Sequence, residues 1–283
     1  MVSIRVIAVT GEHYHVYNRG VEKRVIFNDE HDYQRFLLLL LLSNDVTSVD
    51  VGQSIHDYSI LELIQKTRQP LVSIHAFSLL SNHYHLLLSP KVDCGVSKFM
   101  QKVATGYTMY FNNMNERSGG LFQGKYKIKH AEEEGYLKYL FEYIHLNPIR
   151  EAFNTVGSDQ GSSLVEKAEK HPWTSLSVYS GGEMGRLSDS VLDQTLFYEL
   201  NSSYDTHRKN ICDWKEESSK TDGLLEEGRT FLRLSLGEIY KIGNFQVDGR
   251  HFKKVYFMCL LLSRALIFGR VKADLNYSIM IFF

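Results

Sequence analysis

The chain has 283 residues, 43% of them hydrophobic and 23% charged, which suits one large globular domain or a medium domain with an appendage and excludes a largely disordered protein. A formal net charge of −1 gives no overall cationic field, so any binding of nucleic acid must rest on local clusters of Lys and Arg. Three cysteines, Cys94, Cys212 and Cys259, lie far apart and form no CxxC pair, which argues against a disulfide scaffold and a thiolate zinc site and for a reducing, cytoplasmic setting.

In chain order, the first residues (MVSIRVIAVTGEHYH) lack the apolar core and cleavage site of a signal peptide. The longest apolar runs, 36–42 and 257–262, are too short to span a bilayer, so a soluble protein is expected. Residues 13–27 mix β-branched and aromatic side chains around Gly20 and predict a strand with a bend. Asn28 and Asp29 offer N-cap chemistry for a helix over 30–43, and 44–70 reads as a loop with a short helix near Leu61 to Gln65. Residues 71–80 and 83–89 predict two strands joined tightly at Ser81 and Asn82, with Pro90 closing the second. Val96, Phe99, Met100, Val103, Tyr107, Tyr110 and Phe111 recur at helical spacing within 95–115. LFQGKYKIKH then predicts a strand, and a helix follows from Glu132 to about Leu146, where Pro148 disfavours continuation.

The order β-α-β-β-α-β-α, with hairpin connections, implies an antiparallel sheet packed by helices, an α+β sandwich. Residues 157–171 and 200–230 are polar and resemble linkers or exposed helices. The strongly apolar tail from His251 onward has to pack against something, but carries no motif.

Period-two geometry places His83 and His85 on one face of a strand with Tyr84 on the other, the imidazoles about 7 Å apart along the chain and able to share a cation. His13 and His15 have the same spacing. Context favours the later pair, which enters a wholly apolar strand that would hold it rigidly, whereas the earlier pair lies near a terminus where fraying is expected. On the helix near 132–147, Tyr136, Leu137, Leu140, Phe141 and Ile144 form an apolar stripe. Tyr143 and Asn147 fall on its border, one turn apart. Taken alone, Tyr143 better suits an interfacial tyrosine with a packed ring and a wet hydroxyl.

The string NHYHLLL (82–88) resembles the HUH motif (His, hydrophobic, His) of single-tyrosine transposases, and FEYIHLNPIREA (141–152) resembles their tyrosine helix, as in the REP-associated tyrosine transposases and related insertion-sequence proteins. HVYNRG (15–20), GLFQGKYK (120–127) and HPWTSLSVY (171–179) are also similar to that family and stand in its order, so the likeness covers roughly residues 12–180. It implies a ferredoxin-like or RRM-like nuclease domain over 1–180, with a mostly helical or irregular C-terminal region of unknown role over 181–283. It further implies that His83 and His85 bind a divalent cation, Mg²⁺ or Mn²⁺, and that Tyr143 is the nucleophile. Asn147, where many relatives carry Gln, would be a third ligand through its amide oxygen. Tyr139, one turn earlier, competes for the nucleophile's role but does not match its place in the motif.

The chemistry suits these groups. A phosphodiester resists attack until its charge is neutralised and an attacking group is held in line. Two imidazoles and an amide leave a cation nearly its full charge; Mg²⁺ prefers oxygen and imidazole suits Mn²⁺, so the sequence leaves the metal open. Arg117, Lys125, Lys127 and Lys129 fall in a stretch without an acid, interleaved with Phe122, Tyr126 and His130, the mix that binds single strands; an ordinary solvated strand face reads equally well. Lys98, Lys102 and Arg150 extend this patch, and Arg19 is a further candidate. The expected substrate is single-stranded DNA with hairpin structure, and exchange of two ends requires two protomers, as in a homodimer, or two rounds. Three rivals differ: a domesticated, non-catalytic hairpin-binding protein, a hydrolase using water in place of Tyr143, and a rolling-circle replication initiator. The last usually comes with a helicase, and no G-x-x-x-x-G-K-[ST] loop is present.

Overall fold

A computed structural model describes residues 7–153, 161–181 and 186–212, and the structural statements below concern these. Four strands form the centre: β1 (His13–Arg19), β2 (Val72–Leu80), β3 (His83–Pro90) and β4 (Lys127–Ala131). Their order is β2-β3-β1-β4 and every neighbouring pair is antiparallel. Helix α1 (Glu30–Leu42) links β1 to β2 with α2 (Val51–Asp57) and α3 (Ile60–Gln65) on the way, and α4 (Gly95–Met114) links β3 to β4. This is the β-α-β-β-α-β ferredoxin-like arrangement. It is followed by α5 (Glu134–Phe153), α6 (Gly161–Glu169), α7 (Leu176–Tyr179), α8 (Arg186–Val191) and α9 (Thr195–Asn201).

Both faces of the sheet are covered, which explains why β2 and β3 are buried along almost their whole length. On one face Tyr14, Val16, Ile74, Phe77, Leu86 and Leu88 meet the leucines of α1 and Val96, Phe99 and Val103 of α4. On the other, Ala76, Leu87 and Ala131 meet Leu137, Leu140, Phe141 and Ile144 of α5. Alternation along each strand decides which side chains belong to which layer. The apolar stripe of α5 therefore determines how that helix lies over the sheet.

Local chemistry sets the element ends. Asp29 caps α1 by accepting from the backbone N–H groups of His31 and Asp32. The strand expected over 13–27 stops at Arg19, because Val21–Lys23 turns as a 3-10 segment with Glu22 and Lys23 at positive φ. The strand expected in LFQGKYKIKH shortens to Lys127–Ala131, with Gly124 at φ +95° breaking the extended run. Helix α2, capped by Asp50, lies where a loop was expected. Helix α5 continues past Pro148 to Phe153. A proline removes only one helical bond there, the one toward Ile144, while Leu146 and Ile149 bury against Val165, Ala168, Leu176 and Ile211. That burial holds the extra turn.

The segment after α6 closes the outer edge of β2. The backbone N–H of Leu79 donates to the Trp173 carbonyl at 2.8 Å, and that of Ser175 to Phe77 at 2.9 Å. Further along, the Asp193 N–H donates to Ile74 at 2.8 Å. Trp173 stacks on Tyr33 with ring centroids 4.7 Å apart. The strand edge is thereby occupied instead of left open for a foreign strand. Beyond residue 180, Leu187 and Val191 join the α1/α4 core, and Leu196 and Phe197 join the α5 core. The apolar tail expected to pack, and the polar stretch from 213 to 230, lie outside the described residues. Among the described residues no helix is long and apolar enough to cross a membrane.

Phe141 is fully buried and packs edge-on against Tyr179 and Phe197. Phe141→Ala is expected to lower unfolding free energy by about 3–5 kcal/mol in urea titration; a loss under about 1 kcal/mol would contradict the packing of α5 described here.

Candidate active site

The α5 face of the sheet carries an apolar patch of Ala76, Leu87 and Ala131 and, beside it, a set of polar side chains. Alternation in β1 puts His13, His15, Tyr17 and Arg19 on this face. The antiparallel register sets Tyr17 opposite His85 and Arg19 opposite His83 on β3, and Lys127 opposite Tyr17 and Lys129 opposite His15 on β4. A row of imidazole, phenol and cationic side chains thus crosses three strands.

His83 and His85 are buried, with ring centroids 5.1 Å apart. Their Nδ1 atoms are engaged: that of His83 lies 2.5 Å from Asn82 Oδ1, and that of His85 lies 2.8 Å from Nε2 of His15. Tyr17 stacks on both His15 (4.9 Å) and His85 (5.6 Å). From the helix side, the half-buried Tyr143 meets the same two imidazoles edge-on, at 5.9 Å from His15 and 5.6 Å from His85. Asn147, one turn further along α5 and also buried, hydrogen-bonds the His83 side chain. Tyr143, Asn147, His83 and His85 therefore occupy one place, although 60 positions separate Tyr143 from His83 in the chain. Tyr139 stacks on Tyr143 and Tyr136, and Tyr143 carries the contact with the imidazoles.

The electrostatics keep these rings neutral. Burial pushes His83 down to about 4, with the Arg19 charge adding to it. Burial pushes His85 down to about 2, reinforced by His15, His83 and Arg19. His15 falls to about 4 through burial and the Lys129 charge. A neutral imidazole retains one lone pair, which metal binding requires. The residues fit a divalent cation with mixed preference: two imidazoles and one amide oxygen suit Mn²⁺ better than an all-oxygen Mg²⁺ site. Among the described residues no three His, Cys, Asp or Glu converge to hold a metal, so the fit depends on Asn147.

The predicted DNA contacts divide. Arg19 lies at the site, its charge felt by both histidines. Exposed Lys127 and Lys129 flank it, Lys127 5.8 Å over the Tyr17 ring and Lys129 4.5 Å over the Tyr136 ring. Lys125 is exposed in the loop leading into β4. Arg117 instead holds the turn after α4, bonding the Asn112 side chain and the Gly120 carbonyl and lying over Phe111 of the opposite core. Lys102 donates to the carbonyls of Asp45 and Thr47. Arg150 lies in α5, and its side chain falls outside the described residues.

Sequence reasoning missed His15, Tyr17 and Asn82. Nearness to the terminus argues against His15, yet β1 is a central strand paired on both sides, with β3 and β4. The alternation His15, Tyr17, Arg19 within HVYNRG was the available signal.

The ferredoxin-like sheet thus opposes a histidine pair on one strand to a tyrosine on a covering helix. Residues 43–147, a segment that holds the hairpin, the histidine pair and the helix tyrosine, match the family described as "Transposase IS200 like". Among solved structures the chain is similar to a REP-associated tyrosine transposase bound to a REP hairpin, at 10% identity and a TM-score of 0.42, covering 66% of this chain and 90% of that one. No curated protein matches it.

The buried imidazoles couple stability to pH. His15, His75, His83 and His207, each held to about 4, and His85 at about 2, bind fewer protons when folded than when unfolded below about pH 6.5. Stability is therefore fully present above pH 6.5 and lost as pH falls toward 4. Glu142, raised to about 7 by burial, acts in the opposite sense, as do the raised His130 and Asp189, while His13, His145 and His171 are lowered like the other buried imidazoles. The urea midpoint is expected to decline steadily from pH 6.5 to 4; a midpoint that rises or stays level across this window would contradict the assignment.

Proposed function

We propose that this chain carries a transposase-type domain that cleaves and rejoins single-stranded DNA, with hairpin structure as the sequence resemblance implies, using Tyr143 as nucleophile and a divalent cation held by His83, His85 and Asn147. The observation that carries the proposal is the meeting of Tyr143 and Asn147 on α5 with the imidazoles of β3. When bound, the cation would supply Lewis-acid polarisation of the scissile phosphate. Arg19, Lys127 and Lys129 neutralise backbone charge along the same face, and the half-buried rings of Tyr17 and Tyr136 beside them suit stacking of unpaired bases.

A phenol attacks phosphorus as its phenolate, a form that cationic surroundings favour. The Tyr143 oxygen bonds to phosphorus, the P–O3′ bond breaks, and the leaving oxygen takes up a proton equivalent to the one the phenol lost. The products are a 5′-phosphotyrosine and a free 3′ hydroxyl. Because the phosphodiester is conserved in the tyrosyl link, a second 3′ hydroxyl can reverse the step and join a new strand. One tyrosine cuts one strand, so exchange of two ends takes two protomers or two rounds. The nuclease role is proposed for residues 1–180 and a separate, unassigned role for 181–283, with packing of helices past 180 onto the same cores a matter of fold and not of task.

With Mn²⁺ and a short hairpin-bearing single strand, wild type and Tyr139→Phe are expected to form a covalent protein–DNA adduct, and Tyr143→Phe to form none. An adduct surviving in Tyr143→Phe sinks the nucleophile assignment. Cleavage without any adduct supports the hydrolase, and binding without cleavage supports the non-catalytic hairpin binder. Replacing both Lys127 and Lys129 with Ala is expected to weaken single-strand binding and flatten the plot of log affinity against log salt by roughly 1.4, about 0.7 per lost phosphate contact. An unchanged slope would remove both lysines from the DNA-binding face.

A further inference from the structure

We infer that His15 is a positioning residue that holds His85 in the one tautomer able to bind the cation. The inference rests on the metal reading proposed above and adds a residue which that reading does not use. His15 Nε2 and His85 Nδ1 are 2.8 Å apart, both rings are buried, and the two are stacked at 20° with centroids 5.1 Å apart. A neutral imidazole has one N–H and one lone pair. If His85 Nδ1 donates to His15, the lone pair of His85 sits on Nε2 and is free for a ligand role. If His15 donates instead, His85 carries its proton on Nε2, and its lone pair is spent on His15. Metal binding and the polarity of this one hydrogen bond are thus a single choice.

His83 shows the same logic, with Asn82 at its Nδ1 and Asn147 also bonded to the ring. Its Nδ1 lies against Asn82 Oδ1, an oxygen that can only accept, so His83 donates there and keeps its lone pair on Nε2. Asn82 is tied down by its own Nδ2, which donates to the Lys23 carbonyl at 3.3 Å. At Nδ1 the two histidines of β3 therefore meet different anchoring groups, a turn amide for His83 and a ring from the neighbouring strand for His85. Tyr17 stacks on both His15 and His85 and limits rotation of the pair. Partners that orient metal-bound histidines typically govern affinity by 10–100-fold.

The test measures Mn²⁺ binding to the full chain without DNA, by the paramagnetic resonance signal of free Mn²⁺, alongside thermal unfolding of each variant. Wild type is expected to bind and His85→Ala to lose binding. His15→Phe, which keeps a ring but no acceptor, is expected to weaken binding about 10–100-fold. His15→Gln, whose side-chain oxygen can accept near the Nε2 position, is expected to recover most of the loss. If His15→Phe binds like wild type while His85→Ala does not, the role of His15 is overturned and the metal site stands. If wild type binds no Mn²⁺, or His85→Ala binds normally, the metal reading and this inference fall together. Imidazole ¹⁵N spectra of the wild-type chain give an answer independent of any variant's folding: His85 is expected to carry its proton on Nδ1, and a proton on Nε2 overturns the inference.

Discussion

The chemistry of this protein depends on how one helix lies across one sheet. Leu137, Leu140, Phe141 and Ile144 bury against Ala76, Leu87 and Ala131, and this apolar contact sets both the height and the rotation of α5. With that rotation set, Tyr143 and Asn147 come down over the imidazoles of β1 and β3. No bond within the site could hold a 20-residue helix in place by itself; the buried stripe does so, and the polar set beside it inherits its geometry. The polar groups remain affordable in a dry setting because they satisfy one another. His83 has Asn82 and Asn147, His85 has His15, and Tyr143 meets His15 and His85 edge-on from the helix side.

Much of this was legible in the chain. The hairpin at 71–90 announced itself through two apolar-rich runs on either side of Ser81 and Asn82, since strands covered on both faces need no strict polar alternation. The period of α4 and the border position of Tyr143 and Asn147 followed from the 3.6-residue repeat. Period-two spacing put His83 and His85 on one face, but could not say which residues of other strands would share it. That required the strand order, which brings β1 between β3 and β4 and sets His15 beside His85. Sequence spacing alone made His13 and His15 look like a weaker copy of the later pair, whereas the register makes His15 its neighbour.

The remaining departures have local causes. The run around Gly124 reads as a strand by composition, yet positive φ at that glycine breaks it and leaves Lys125 in a loop while Lys127 and Lys129 join the sheet. Pro148 reads as a stop, yet tertiary burial of Leu146 and Ile149 outweighs the one bond it removes. HPWTSLSVY resembled a family motif without declaring a task; in the fold, Trp173 and Ser175 cover the outer edge of β2 by backbone pairing, and Ser175 also bonds the His145 ring of α5. That segment ties the sheet edge to the helix carrying Tyr143, so part of the motif serves the site's geometry without entering the site.

The most direct test of the account is to identify the residue that carries DNA after cleavage. Digesting the covalent adduct formed with Mn²⁺ and sequencing the nucleotide-bearing peptide by mass spectrometry should place the modification on the phenol at 143, within FEYIHLNPIR. A nucleotide found on Tyr139 or on any residue outside α5 would mean that the convergence of helix and histidines described here is not the reacting centre.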